Sequence, residues 1–320
     1  MMISEEKLVQ FFSRTSFSKS SRLLMGIGDD TAVLKTSLHE KLLATTDLLI
    51  EGVHFRTDWM SLYQVGRKAM RVNLSDIAAM GGKPLFALIS VGIPKKSSLQ
   101  EVKLLWKGLQ SSAREAGVEI IGGDTNVSPQ WIVNVVILGE TCQGRFLKRS
   151  GAQVGDALYV SGILGASRLG LEALLRKKKK GFESFIHHHA EVPDRLKIAQ
   201  NLVKKRNIHA MMDLSDGFFQ GVQTLLKASG VGAEICVDEI PVARQFAAKA
   251  SLLGLSPTIL KLEGGEDYEL LICSSSKLPP KVAGVSLTRV GRILPKKLGL
   301  ILKSQGKKFP MDKLNGFHHF

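Results

Sequence analysis

Apolar positions in the first half of the chain switch between the period of a strand and that of a helix. Leu42 to Ile50 is a short apolar run interrupted by Thr45-Thr46-Asp47 and reads as a strand. From Gly66 to Met80, the residues Ala69, Met70, Leu74, Ile77 and Ala78 recur at helical spacing, and the pattern stops at Gly81-Gly82 with Pro84 beyond. Leu85 to Ile93 reads as a second strand. Leu99 to Ala116 carries Leu99, Val102, Leu105, Trp106, Leu109 and Ala113 on one face of a helix, with Gly117 as its stop. Val118 to Ile121 is expected as a buried strand ending in Gly122-Gly123-Asp124, and Trp131 to Leu138 as a further strand rich in Val and Ile.

The pattern breaks between Phe146 and Asp156, at Lys148-Arg149-Ser150-Gly151 and Gly155-Asp156. It restarts with Ala157-Leu158-Tyr159-Val160 and a glycine-rich turn. Helical stretches follow, then the turn Asp213-Leu214-Ser215-Asp216-Gly217. Gly264-Gly265-Glu266-Asp267 opens a last strand over Tyr268 to Cys273. Mixed strands and helices on both sides of the break predict an α/β protein of two domains of similar size, residues 1–147 and 148–320. No short-period repeat occurs.

Composition changes this picture in one respect. The chain has 320 residues, of which 44 are Lys or Arg and 29 are Asp or Glu, for a formal charge of +15. Such an excess invites a polyanionic partner. However, eleven of the acids stand in a few short Gly/Ser/Thr-bearing motifs: Asp29, Asp30, Asp47, Glu51, Asp76, Asp124, Asp213, Asp216, Glu266, Asp267 and Glu269. Carboxylates concentrated in this way suit a metal-dependent enzyme better than a passive binder of nucleic acid. Lysines spread along the chain, 6% aromatic residues and the lack of a recognition motif also argue against nucleic acid. No apolar run approaches the length of a membrane-spanning helix, and the acidic start Met1-Met2-Ile3-Ser4-Glu5-Glu6 lacks the features of a secretory signal. Cys142, Cys236 and Cys273 are odd in number and scattered, as expected of reduced thiols in a cytoplasmic protein.

Taken singly, the acidic motifs are modest. Gly26-Ile27-Gly28-Asp29-Asp30 lacks the third glycine of a dinucleotide fingerprint, and no Gly-Lys-Ser/Thr phosphate loop occurs. Thr45-Thr46-Asp47 offers two hydroxyls and a carboxylate, an all-oxygen set for a hard cation. Asp76 is an acid on a helix, normally a solvated position. Asp124 follows a strand into two glycines, where α/β sites usually lie, and Asp213 and Asp216 share a turn with Ser215. If Asp30, Asp47, Asp76, Asp124, Asp213 and Asp216 converge, their repulsion requires cations. Magnesium takes oxygen ligands and shares them with phosphates, so these acids with Arg149 nearby point to phosphoryl transfer. Histidine adds little: His187-His188-His189 reads as a surface tract beside the exposed basic run Arg176 to Lys180, and His54 is balanced between a substrate contact and a structural hydrogen bond.

In this order the motifs resemble the thiamine-monophosphate kinase family, within the aminoimidazole ribonucleotide synthetase-like superfamily. The matching pieces are Gly26 to Asp30, Thr45-Thr46-Asp47 running to Glu51-Gly52-Val53-His54-Phe55, and Asn73-Leu74-Ser75-Asp76-Ile77-Ala78-Ala79-Met80-Gly81. Gly122 to Thr125, Arg149-Ser150-Gly151-Ala152, Asp213 to Gly217, Gly264 to Glu269 and Gly316-Phe317-His318-His319-Phe320 complete the set. Nearly the whole chain is covered. The resemblance implies two α/β domains, with N-terminal domains pairing across a homodimer to form a barrel-like sheet interface.

It further implies ATP-dependent phosphorylation of thiamine monophosphate to thiamine diphosphate, the last step of that cofactor's synthesis. Magnesium ions would be held by Asp30, Thr45, Thr46, Asp47, Asp76, Asp124, Asp213 and Asp216, with Asp47, Asp124 and Asp213 carrying catalysis. Gly123, Asp124, Arg149 and Ser215 would contact ATP, and His54, Glu266 and Phe317 the thiamine substrate; Phe317 replaces the Trp or Tyr common in the family. The acceptor is a phosphate oxygen already anionic at neutral pH, so direct in-line attack needs no strong general base and no phosphoenzyme. Selenophosphate synthetase, which shares the fold, is disfavoured because no cysteine precedes Cys142. A member that binds nucleotide without catalysis is disfavoured by retention of every acidic motif.

Overall fold

The computed structural model describes residues 23–25, 31–35, 40–311 and 314; Asp29, Asp30 and Phe317 lie outside them. Strands β1 (Leu23–Met25), β2 (Ala32–Lys35), β3 (Lys41–Ile50), β4 (Lys83–Pro94), β5 (Glu119–Ser128) and β6 (Ile132–Glu140) form one sheet in the order β1-β2-β3-β6-β4-β5. All neighbours are antiparallel except β4 and β5, whose parallel pairing is bridged by a helix. Helices α1 (Leu62–Ala79) and α2 (Leu99–Ala116) cover the face that carries Leu43, Leu49, Ile89, Val133, Val135 and Ile137, all buried.

Helix α2 has the span its pattern predicts, because both ends are chemically marked. Ser98 and Glu101 form a reciprocal capping box, and Gly117 closes the helix in the left-handed region. Helix α1 begins four residues earlier than expected, where Ser61 and Gln64 form a second capping box. The two helices approach through a pair of glycines: a Cβ on Gly66 would fall on the carbonyl oxygen of Leu105, and one on Gly108 on that of Tyr63.

Strand β5 departs from expectation. Rather than a buried strand ending at the glycines, it is an edge strand, exposed along almost its whole length, that runs through Gly122 and Gly123 to Ser128. Among the described residues β4 is its one strand neighbour, and it stays exposed. Gly123 stays in the strand because its backbone presses against that of Ile89, leaving no room for a Cβ. Asp124 is therefore placed mid-strand.

The second sheet joins β7 (Ala157–Ser161), β8 (Ile208–Asp213), β9 (Gly232–Cys236), β10 (Leu270–Ser274), β11 (Lys281–Val282), β12 (Val285–Leu294), β13 (Leu300–Ser304) and β14 (Lys307–Lys308), in the order β14-β13-β9-β12-β7-β10-β8 with β11 beside β12. Around it run α3 (Ala166–Leu175), α4 (Glu183–Ala190), α5 (Leu196–Leu202), α6 (Phe218–Ser229), α7 (Phe246–Leu252) and α8 (Pro257–Glu263). One apolar cluster spans both halves: Val65, Ala69, Val72 and Ile77 of α1 belong with Leu196, Ala199, Met211, Tyr268 and Leu270. Ion pairs reinforce the seam, since Arg67 and Arg71 of α1 both reach Glu115 of α2 and Glu191 beyond α4. Helix α1 is thus the joint of the molecule. Among the described residues no helix is long and apolar enough to cross a membrane.

Candidate active site

Four segments meet at this seam. Strand β3 brings Thr45, Thr46 and Asp47; the last turns of α1 bring Ser75 and Asp76; β8 ends on Asp213 and turns through Ser215 and Asp216 into α6; and Gly264 to Glu269 leads into β10. The last two segments are zipped together by backbone hydrogen bonds. Glu266 N–H donates to Ser215 O (2.6 Å), Tyr268 N–H to Leu214 O (3.0 Å), and Leu214 N–H to Glu269 O (2.8 Å). Glu266 and Tyr268 take positive φ values of 62° and 49° to make these bonds.

Side chains draw the halves closer. The Thr45 hydroxyl donates to Asp76 Oδ2 at 2.5 Å, and the Ser75 hydroxyl to Asp213 Oδ2 at 2.7 Å. Asp76 is therefore not a solvated face residue; it turns toward β3. The buried Tyr268 phenol reports the convergence of the acids. Burial raises its pKa well above the ordinary value, and the carboxylates of Glu266, Asp47, Asp213 and Asp216 raise it further.

Two of the expected ligands stand elsewhere. Side chains alternate across a strand, so Thr46 points away from Thr45 and Asp47; its hydroxyl donates to Asn134 Oδ1 at 3.0 Å. Asp124 lies in the row Leu48, Asn134, Ser90, Asp124, which runs across the sheet on that same outer face. Thr45, Asp47, Asp76, Asp213 and Asp216 are thus grouped at the seam, whereas Thr46 and Asp124 belong to the opposite face. Among the described residues no three His, Cys, Asp or Glu side chains form a metal cluster. Gly123 lies beside Asp124, and Arg149 is half-buried in the connection between the sheets, where its carbonyl accepts from Ser229 Oγ at 3.2 Å.

The acids of the 264–269 segment are tied down in three directions. Glu266 Oε1 pairs with the Lys68 ammonium at 2.9 Å, and Oε2 faces His189 Nδ1 at 3.2 Å. Burial would raise the Glu266 carboxyl, but the Lys68 ammonium and the hydrogen bond from His189 outweigh it and hold the group well below the usual range. Asp267 accepts from the amides of Gly165 (2.6 Å) and Ser167 (3.3 Å) at the start of α3; burial pushes its carboxyl up to about 8 against those bonds. Glu269 is gripped by the Arg195 guanidinium at two 2.5 Å contacts and by Ser161 Oγ at 2.5 Å.

His54 is oriented by Ile50 N–H, which donates to its Nδ1 at 3.0 Å. The triple-histidine tract lies on α4 rather than in a loop; His187 and His188 are exposed as expected, whereas His189 is only 3% exposed. Burial and the nearby Lys68 ammonium keep its imidazole below its ordinary pKa, so it is neutral and presents Nδ1–H to Glu266. Sequence reasoning gave no role to Ser75, Lys68 or Arg195 and read His189 as surface. Lys68 alone carried a local signal, a lysine three residues after Val65 and four before Val72, inside the apolar stripe of α1.

The chain can be set against known proteins. The N-terminal domain of AIR synthase related proteins matches residues 28–141, and their C-terminal domain matches residues 153–277. The thiamine-monophosphate kinase of Aquifex aeolicus (strain VF5) is 37% identical over 273 residues, 84% of this chain and 85% of that protein. The thiamine-monophosphate kinase of Rhodopirellula baltica is 34% identical over 313 residues, 93% of this chain and 92% of its own. The solved structure of AaThiL complexed with AMPPCP and TMP superposes with a TM-score of 0.86 at 33% identity, covering 100% of this chain and 99% of that one.

Proposed function

The chain belongs to the AIR synthase related family through both of its domains, and from that membership we propose that it catalyses ATP-dependent phosphorylation of thiamine monophosphate to thiamine diphosphate. The observation that carries this reading is the chain-long likeness to a structure complexed with AMPPCP and TMP. The acceptor phosphate oxygen forms a bond to the γ-phosphorus of ATP as the bond to the β,γ-bridging oxygen breaks, and ADP leaves. That oxygen is anionic at neutral pH, so the protein has no strong base to supply; its work is to position two polyanions and to keep water out.

Magnesium fits the donor set, because hydroxyl and carboxylate oxygens gathered around Tyr268 are hard ligands whose mutual repulsion a divalent cation relieves. We assign it to Asp47, Asp76, Asp213 and Asp216 with Thr45, and to Asp30 of the same motif set; Thr46 and Asp124, on the opposite face of the sheet, are not part of this group. When bound, it neutralises charge on the phosphates. Ser75 and Thr45 hold Asp213 and Asp76 in place. Gly123, Asp124, Arg149 and Ser215 are assigned to ATP, and His54, Glu266 and Phe317 to the thiamine moiety. The division at residues 147 and 148 gives each half one sheet, with the site between them.

A homodimer is part of the same proposal. The outer face of the first sheet leaves Leu48, Phe86 and Leu88 exposed beside an edge strand whose Ile121 is 53% exposed, an apolar surface suited to a second copy. A cytoplasmic setting agrees with three unpaired cysteines. The deciding experiment incubates the purified protein with ATP, magnesium and thiamine monophosphate and follows thiamine diphosphate by chromatography. Absence of product at any magnesium concentration would refute the reading. Sedimentation of the wild type against Leu88→Asp tests the dimer, with a monomeric wild type as the opposing result.

A further inference from the structure

Lys68 is an unusual residue for its place. It lies in the middle of α1 with no exposed side-chain surface, although lysine is almost never fully buried without a partner. Its ammonium has three donors and finds three acceptors: Glu266 Oε1 at 2.9 Å, His54 O at 3.4 Å and His189 O at 3.4 Å. These acceptors come from the loop after β3, the end of α4 and the loop before β10, segments far apart in the chain and drawn from both halves. His189 closes the figure, its Nδ1 reaching Glu266 Oε2 at 3.2 Å and Ser167 Oγ at 3.3 Å.

We propose that Lys68 is a positioning residue for the thiamine side of the site, fixing the His54 loop to the Glu266 loop through one buried ammonium. The inference rests on the reading that His54 and Glu266 face the thiamine moiety. An apolar side chain at this position would pack α1 as well or better, since a buried ion pair costs desolvation that hydrophobic packing avoids. What the ammonium adds is geometry. It ties together two loops that are far apart in the chain, and it leaves one lone pair on each Glu266 oxygen for a ligand. His54, in turn, has its ring fixed by Ile50 N–H and its carbonyl fixed by Lys68. Binding of thiamine monophosphate therefore depends on Lys68, whereas Ser215, assigned to ATP, is held by the Glu266 main chain at 2.6 Å rather than by the ammonium.

The test is steady-state kinetics on full-length Lys68→Met and on Lys68→Met/Glu266→Gln, each with its melting midpoint. The double variant removes both charges together, so no unpaired charge is left in the interior and folding is preserved. The expected result is a KM for thiamine monophosphate raised at least about tenfold in both, with the KM for ATP within about twofold of wild type. A role confined to stability would lower the melting midpoint and the active fraction while leaving both KM values unchanged. With wild-type turnover of thiamine monophosphate established as the control for the functional reading, an unchanged KM for that substrate in folded Lys68→Met overturns the proposal for Lys68, and an unchanged KM in the double variant removes Glu266 from the thiamine contacts as well.

Discussion

Ser75 of α1 donates its hydroxyl proton to Asp213 Oδ2 at 2.7 Å, so a side chain from one half of the molecule orients an acid at the end of a strand in the other. Both residues are buried. Removing the hydroxyl takes one hydrogen bond from the Asp213 carboxylate. Ser75→Ala is expected to lower turnover or apparent magnesium affinity by about 10–100-fold, the usual effect of losing a partner that orients a metal ligand. Its cost in stability is about 1 kcal/mol. Magnesium titration of activity beside urea unfolding measures both quantities, and unchanged magnesium dependence would show that the bond is merely structural.

Asp47 and Asp124 stand on opposite faces of the same sheet, so their substitutions separate two versions of the site. Asp47→Asn is expected to reduce turnover by more than about 100-fold with little change in melting midpoint, because electrostatic positioning carries most of a phosphoryl transfer. Asp124→Asn is expected to do the same if the edge strand reaches the phosphates. Near-wild-type turnover of Asp124→Asn in saturating magnesium would remove that residue, and the outer face with it, from the catalytic set.

The crossing of α1 and α2 predicts a loss of stability remote from the chemistry. A methyl group at Gly108 would strike the carbonyl of Tyr63, a backbone atom with no rotamer to change. Gly108→Ala should therefore cost about 3 kcal/mol, the upper part of the range for overpacked interiors. A shift of the urea midpoint to lower concentration at constant slope is the expected observation.

Acidification should weaken the fold through the Lys68–Glu266–His189 cluster. A carboxyl held below its unfolded value of 4.5 contributes stability above that pH and loses it as the pH falls. His189 acts in the same direction: it stays neutral in the fold but takes up a proton near its ordinary value of 6.5 once unfolded, so unfolding gains below that pH. Asp267, pushed up to about 8, has the opposite sign and loses its contribution as the pH rises toward that value. The melting midpoint of wild type is expected to fall more steeply below about pH 4.5 than that of Glu266→Gln, which lacks the carboxyl but keeps the His189 contribution. Parallel curves for the two proteins would show that the cluster does not set the acid limit.

How legible these features were in the sequence follows from their range. Helix α2 could be read to both ends because Ser98, Glu101 and Gly117 are local signals. Helix α1 was read four residues short because its capping box, Ser61 with Gln64, was not recognised; Arg67 and Lys68, inside the stretch that was read, turn out to serve the seam. Gly122-Gly123 was taken as the end of a strand, when Gly123 is there to let β5 lie against Ile89. The acids themselves were visible, but not which face of the sheet each takes, since that depends on register rather than on composition. His189 was read as surface because its neighbours are polar; its burial comes from α1 and α3, which are distant in the chain.

The Asp267 carboxylate sits on the first amides of α3, where helices in many proteins receive a phosphate. That berth is filled from within. A nucleotide arriving at this molecule finds the helix's first amides already taken, despite fifteen surplus positive charges in the chain. On the proposed reading, divalent cations from solution supply the attractive field it needs. Turnover should therefore track the free divalent-cation level of its surroundings more closely than the concentration of either phosphorylated reactant.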